Sequence, residues 1–424
     1  MNAIDSKRGV PFLARVRAPA DGGVALARVL MLGFIVTLLV STSAAIVFEF
    51  TTYITFAVSP ELRRRFVRTV HHPLMVGLLV FAATIVIGTS HGPASWHGAL
   101  GALAGWRRLL LVPLAMVVFD DESSKRLLFK IFILICLVGI FFSFETAWRG
   151  LPIVHKMPPG IVFHNYSVQG LSFSLAAIVC IAAILRPEAF AGDRVLGNRA
   201  IMAVVAALLI FDVAFVLWGR SGYLALIVMV VVIVTLLARG SLPAKVLAGL
   251  GVLVCVVLLL ASSGQVRSRV AQAVSEFDTA DQSAKPTSLG YRAVFWPTTL
   301  RMARDHPLFG VGTGGFEDGY RPYGQSVAGW QGSETADPHN QFLKILGEQG
   351  LIGLAAFLFF IFRALTCQAP TPYRQLAAAA LISWCATSLA NSHFSTFAEG
   401  RLIFFWLGAM LATPSNGTEG TGRV

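Results

Sequence analysis

Twelve apolar runs separated by mostly short polar turns constrain this chain more than any other feature. They lie near 25–41, 43–58, 73–89, 101–119, 127–145, 167–185, 200–217, 222–238, 244–262, 351–366, 376–392 and 400–413. A membrane-spanning helix needs roughly 20 mostly apolar residues. In lipid its backbone polar groups must be satisfied within the segment, so such runs read as helices. Composition agrees. Charged residues make up 13% of the 424 positions and mean hydropathy is +0.70, whereas soluble domains carry about 25% charged residues. The expected fold is all-α: a polytopic integral membrane protein with about twelve transmembrane helices. The first two runs meet at the tight Ser41-Thr42-Ser43 turn, which suits an interrupted hairpin. Trp106-Arg107-Arg108 breaks into the fourth, which suits a re-entrant or interfacial half-span.

Lys and Arg outnumber Asp and Glu by 34 to 22, a net charge of +12. In a membrane protein such an excess marks cytoplasmic loops rather than nucleic-acid binding. An even number of spans puts both termini on one side. The even-numbered connections hold Arg63, Arg64, Arg65 and Arg68, then Lys125 and Arg126, then Arg186, Arg194 and Arg199, then Arg239 and Lys245, then Arg363 and Arg374. The first odd connection to be compared, HGPASWHG at 91–98, has no Lys or Arg. Both termini are therefore expected in the cytoplasm. The organisation expected is a cytoplasmic tail over 1–24, spans one to nine over 25–262, one large outer loop over 263–349, spans ten to twelve over 350–413, and a second cytoplasmic tail over 414–424. The basic N-terminal stretch shows no evident cleavage site and reads as a retained tail. Five scattered cysteines have neither metal nor disulfide spacing.

Cations on the outer side run against the topological preference. Arg149 and Lys156 share one outer loop, Arg220 sits in the short turn LWGRSGY, and Arg401 opens the last span. Each suits an anionic ligand or, equally, snorkelling to lipid phosphates; the Arg220 turn is too short to be a solvent loop. Within the large loop, VRSRVAQAVSEFD (266–278) is amphipathic and GYRAVFWPTTLRMARDHP (290–307) has a helical pattern. There Arg292 and Arg301, nine residues apart, fall on opposite faces of an unbroken helix. GVGTGGF (310–316) has four glycines in six positions; its amides suit a phosphate, but no strand precedes it, and a turn beneath the membrane surface is the simpler reading. In TADPHNQFLKILGEQGLIGL, Asp337 suits an N-cap and Pro338 the first helical position, which puts His339 in the first turn. The helix dipole there disfavours imidazolium, leaving a neutral base. The plainer alternative packs His339 at the membrane interface. Glu348 suits a pair with Lys344 on its own helix.

The stretches YRAVFWPTTLRMARDHPLFGVGTGGF and DPHNQFLKILGEQGLIGL resemble the outer-loop signature of the O-antigen ligase and polymerase family, "R…W…HPxxGxGxxxF" followed by "xHNxxLxxxxExGxxGL". GRSGYLAL at 219–226 resembles a second hallmark, although the order Gly-Arg-Ser stands where many relatives have Ser-Arg-Gly, which puts the neighbours' roles in question more than the arginine's. The resemblance implies a glycosyltransferase-C-like membrane fold and an O-antigen ligase. Such an enzyme transfers O-antigen polysaccharide from undecaprenyl pyrophosphate to a sugar hydroxyl of lipid A–core, at the periplasmic face of the inner membrane, with no metal or other cofactor. It implies His339 and Arg220 as the catalytic pair, with Arg292 a substrate contact and Arg149, Lys156, Arg301 and Arg401 further candidates. The expected partners are these two lipid-linked glycans and membrane lipids, not nucleic acid. A polymerase that extends carrier-linked repeat units is the alternative within the family. Polymerases often carry two comparable outer loops, and one long loop after span nine is the ligase-like arrangement. A non-catalytic transporter of lipid-linked glycans is the alternative from another class; it tends to show internal repeats and mid-membrane charges.

Overall fold

The computed structural model of the chain describes residues 22–279, 288–324 and 335–413. Both expected tails, apart from residues 22–24, lie outside them, as does the linker over 280–287. Among the described residues every regular element is a helix. α1 (Gly22–Val40) and α2 (Thr42–Val58) form a hairpin about Ser41, whose hydroxyl accepts from the Ala44 amide at 3.3 Å and so starts α2. α3 (Pro60–Thr69) is bent 98° from α2. α4 (Pro73–Ile87) follows. α5 (Trp96–Trp106) and α6 (Leu111–Val118) are halves of one span, joined by a 3-10 turn over Arg107–Leu110. α7 (Glu122–Arg149), α8 (Tyr166–Leu185), α9 (Arg199–Phe215), α10 (Arg220–Leu237) and α11 (Leu242–Ser262) complete the first part. The long polar segment contains α12 (Gly264–Thr279), α13 (Ser288–Asp305) and α14 (Phe316–Gly324). α15 (Gln341–Thr366), α16 (Tyr373–Thr387) and α17 (Phe397–Leu411) close the chain.

Each of the twelve apolar runs contains a helix. Seven helical stretches are long and apolar enough to cross a membrane, and the bent α2–α3 pair makes eight. The others, α4, α9, α16 and α17, have only 15 to 17 residues. The chain is a multi-pass membrane protein. α8 and α17 are its central posts, buried along most of their length. α11 buries little beyond Gly249, Val256 and Leu260 and turns Leu247 and Leu258 outward, as a lipid-facing helix does.

Hydrogen bonds define the two ends of the bundle. At one end the His164 amide reaches the carbonyl of Leu39, late in α1, at 3.3 Å. Ser167 and Ser221, at the starts of α8 and α10, are 2.8 Å apart. Ser383 bonds to the Ala225 carbonyl at 3.4 Å, so the end of α16 lies level with the start of α10. At the opposite end Arg28 pairs with Asp121 at 2.9 Å, Lys125 donates to the Ala412 carbonyl at 2.7 Å, and Arg363 donates to the Pro73 carbonyl at 3.0 Å. The arginine-rich connections lie at this second end.

The break between α5 and α6 has a physical cause: its arginines turn inward. Arg108 donates to the carbonyls of Phe394 and Thr396 at 3.1 and 2.7 Å, and Arg107 reaches Glu49 at 3.2 Å. Arg401, which the sequence places at the outer edge of the last span, is also inside. Its side chain is 2% exposed, and its Nε donates to Glu49 at 2.9 Å.

Candidate functional site

The opening of α15 corrects the expected capping. Asn340, not Asp337, is the N-cap; its side-chain oxygen accepts from the amides of Phe342 and Leu343 at 3.0 and 3.1 Å. His339 therefore precedes the helix, outside the first turn, and the dipole argument for its protonation does not apply. Its backbone is left-handed, with φ 53°, one of two non-glycine residues so placed among the described residues; the other is Lys156. Such a backbone is uncommon for a residue other than glycine. Three contacts hold it. The Asp337 carboxylate accepts from the His339 amide at 2.8 Å, Trp296 on α13 donates to the Pro338 carbonyl at 3.0 Å, and the His339 ring lies over Phe295. The imidazole itself is exposed.

Asp337 gathers this segment. Besides the His339 amide it accepts from the Ser392 hydroxyl at 2.6 Å and pairs with Lys344 at 3.1 Å. Burial raises its pKa, but the Lys344 charge and these hydrogen bonds outweigh that and hold it below the usual carboxylate range. Lys344 thus pairs with Asp337 rather than with Glu348. The loop between α16 and α17 supplies the other wall. The Gln341 amide meets the carbonyls of Ser388 and Asn391, each at 3.0 Å, and the Asn340 side chain donates to the Leu389 carbonyl at 2.9 Å. Arg292 donates to the Ala390 carbonyl at 2.7 Å, one helical turn before Trp296. One face of α13 therefore grips both walls, while Arg301, bonded to Thr298, is exposed.

Arg220 opens α10 at the same end of the bundle, because that helix begins level with the α16–α17 loop. It stands at the mouth of a groove of about 850 Å³ between α10, α11 and α12. The walls are apolar, among them Ile227, Val257, Leu260, Val270 and Val274, and two further cations, Arg267 and Arg269, reach the groove from α12. The Arg269 guanidinium lies 5.0 Å from the centre of the Trp218 ring, which fixes it beside the turn that carries Arg220. These two arginines were not picked out in the sequence. The signal was present in the amphipathic VRSRV stretch, but the groove it faces exists only once three helices pack.

The remaining candidates lie elsewhere. Arg149 ends α7, 60% exposed and paired with Glu145 at 2.8 Å, and Lys156 is exposed in the following loop. Arg401 is held by Glu49 and by the Phe397 carbonyl and ring. The glycine loop forms a turn: the amides of Val311 and Gly312 bond to the carbonyls of Gly347 and Glu348 at 2.9 and 2.8 Å, and the Thr313 amide bonds to Gly88 at 2.8 Å. Those amides are committed to backbone.

Fold and site together define a class: an all-helical membrane protein with an arginine-mouthed apolar groove and an exposed, conformationally pinned histidine at one end. Residues 205–358 match a family model described as O-antigen ligase. The match covers Arg220, Arg267, Arg269, Arg292, Arg301 and His339 and leaves out Arg149, Lys156 and Arg401. A comparison with curated proteins found no match.

Proposed function

We propose that the chain is an O-antigen ligase, transferring polysaccharide from undecaprenyl pyrophosphate to a sugar hydroxyl of lipid A–core at the periplasmic face of the inner membrane. The observation that carries this reading is the groove. A prenyl chain suits its apolar walls, and a pyrophosphate suits the Arg220, Arg267 and Arg269 mouth, where charge-assisted hydrogen bonds to phosphate are strongest. The crowding of Lys and Arg at the opposite end supports the orientation by the positive-inside rule.

In the reaction, the acceptor hydroxyl oxygen attacks C1 of the sugar attached to pyrophosphate. The C1–O bond to phosphate breaks, and the electron pair leaves on the prenyl pyrophosphate. The hydroxyl proton passes to the His339 imidazole, an exposed base whose backbone is held through Asp337 and Trp296. Arginines around the leaving group stabilise the charge that develops there. A single displacement inverts configuration at C1 and needs no carboxylate nucleophile. Arg292, which binds the wall next to His339, is assigned to orienting substrate.

The first test is complementation in a host lacking its own ligase, read as the lipopolysaccharide ladder on a gel. Wild type is expected to restore the long ladder, and well-expressed His339→Ala and Arg220→Ala to lose it, since removing a general base, or a donor that stabilises the leaving-group charge, costs roughly 100-fold or more. Lengthening of carrier-linked chains without capped core makes the protein a polymerase instead. A second prediction concerns Asp337. Asp337→Ala is expected to slow transfer roughly tenfold with little change in the KM for donor, while Asp337→Asn, which keeps an acceptor for the His339 amide, loses less. If Asp337 acts through His339, its removal adds nothing in a His339→Ala background. Additive losses in that double variant refute the assignment.

A further inference from the structure

The α2–α3 elbow, at the end of the bundle away from His339, carries a feature that glycosyl transfer does not use. α3 is bent 98° from α2, so where α2 crosses the membrane α3 runs along its surface. The sequence PELRRRFVRT places Arg63, Arg64, Arg65 and Arg68 within one ten-residue helix. Arg65 is paired with Glu61 at 2.8 Å, but Arg64 is 71% exposed and its nitrogen is 3.7 Å from the same carboxylate. Arg63 and Arg68 are exposed as well. Among them Val67 is 60% exposed and lines the apolar groove inside the elbow. This is the pattern of a helix lying in the headgroup region, cations toward phosphate and apolar groups toward acyl chains.

A second observation turns a charged surface into a site. Inside the elbow lies an apolar groove of about 400 Å³, walled by Tyr53, Phe56, Phe66, Leu110 and Leu114, with Arg63 at its rim. Arg63 donates to the Ala57 carbonyl at 2.8 Å, which holds its guanidinium at that rim. A topogenic charge cluster needs no groove, and an ordinary lipid-facing groove needs no cation fixed against it as Arg63 is. We propose that this elbow binds a diacyl phospholipid with a net negative headgroup, its phosphate against Arg63, Arg64 and Arg68 and one acyl chain in the groove. The cations select charge, because basic residues near a membrane surface favour anionic lipid. The proposal is independent of the transfer reaction.

The test is native mass spectrometry of the full chain released from detergent, with phosphatidylglycerol or phosphatidylcholine added in parallel. Wild type is expected to keep bound phosphatidylglycerol under activation that strips phosphatidylcholine. The triple variant Arg63→Gln, Arg64→Gln, Arg68→Gln is expected to bind phosphatidylglycerol roughly tenfold or more weakly. Ala57→Trp, which fills the groove from an exposed position and leaves every charge in place, is expected to lose it as well. Equal retention of the two lipids by wild type overturns the proposal, as does undiminished phosphatidylglycerol binding by the triple variant. Full binding by Ala57→Trp also overturns it, since it reduces the effect to surface charge without a site. The triple Arg→Lys variant, expected to keep the preference, separates loss of charge from loss of fold.

Discussion

Glu49→Ala is expected to lower the apparent unfolding temperature of the detergent-solubilised protein more than any other single change outside the outer-end site. The Glu49 carboxylate is fully buried and takes Arg401 at 2.9 Å, Arg107 at 3.2 Å and the Tyr53 hydroxyl at 2.6 Å. Alanine takes from the buried Arg401 guanidinium its carboxylate partner and leaves it the Phe397 carbonyl and ring, and removing one partner of a buried pair costs roughly 3–5 kcal/mol. Glu49→Gln keeps hydrogen-bond acceptors but not the charge and is expected to fall between. Glu49→Leu combined with Arg401→Met removes both charges and should recover part of the loss, though Arg107 still lacks its partner. A Glu49→Ala protein that melts with wild type means that Arg401 finds another counter-charge on relaxing.

This network shows what was legible in the sequence and what was not. Apolar runs, short turns and the interruption at Arg107-Arg108 are local signals, and helices and a broken span follow from them directly. A cation near the start of α17 looks like an outer-edge ligand because its counter-ion, Glu49, lies on the second helix of the chain, and no local pattern links them. The same physics misled the capping of α15. Asp337-Pro338 is a good cap in isolation, but the Asp337 carboxylate is drawn to Ser392 and Lys344, and Asn340 caps instead. His339, Arg220 and Arg292 do come to one end of the bundle. Arg267 and Arg269 escaped notice because a charge on an amphipathic helix acquires a meaning only when α10 and α11 supply the apolar walls opposite it.

Gly350→Ala is the second large effect, and it concerns the glycines of the 306–353 stretch rather than its histidine. Gly350 has φ 65° and ψ −164°, a backbone that essentially glycine alone adopts, and it breaks α15 into two helices. A Cβ there meets the Leu308 carbonyl carbon and oxygen at 2.4 Å and the Phe309 nitrogen at 2.6 Å, all main-chain atoms that cannot swing aside. The close approach exists because the 307–312 segment hydrogen-bonds both sides of the break: Leu351 and Ile352 amides to the carbonyls of Pro307 and Leu308 at 2.8 and 3.2 Å, Val311 and Gly312 amides to those of Gly347 and Glu348. Backbone strain together with loss of some of these bonds sums to on the order of 3–5 kcal/mol. Gly251→Ala on the lipid-facing side of α11, where a Cβ meets nothing within 4 Å, is the matched control and should leave stability unchanged or slightly raised. Hydrogen exchange reads the mechanism: the Val311, Leu351 and Ile352 amides should lose protection in Gly350→Ala and keep it in Gly251→Ala. Retained protection in both means that a Cβ at 350 is accommodated without parting the two stretches, and their close approach then does not require glycine there. The two halves of the signature are in this sense one unit, since "HPxxGxGxxxF" supplies the strap and "ExGxxGL" the break it closes on. The strap ends beside α14 and α13, and α13 is the helix whose Trp296 and Arg292 hold the segment carrying His339.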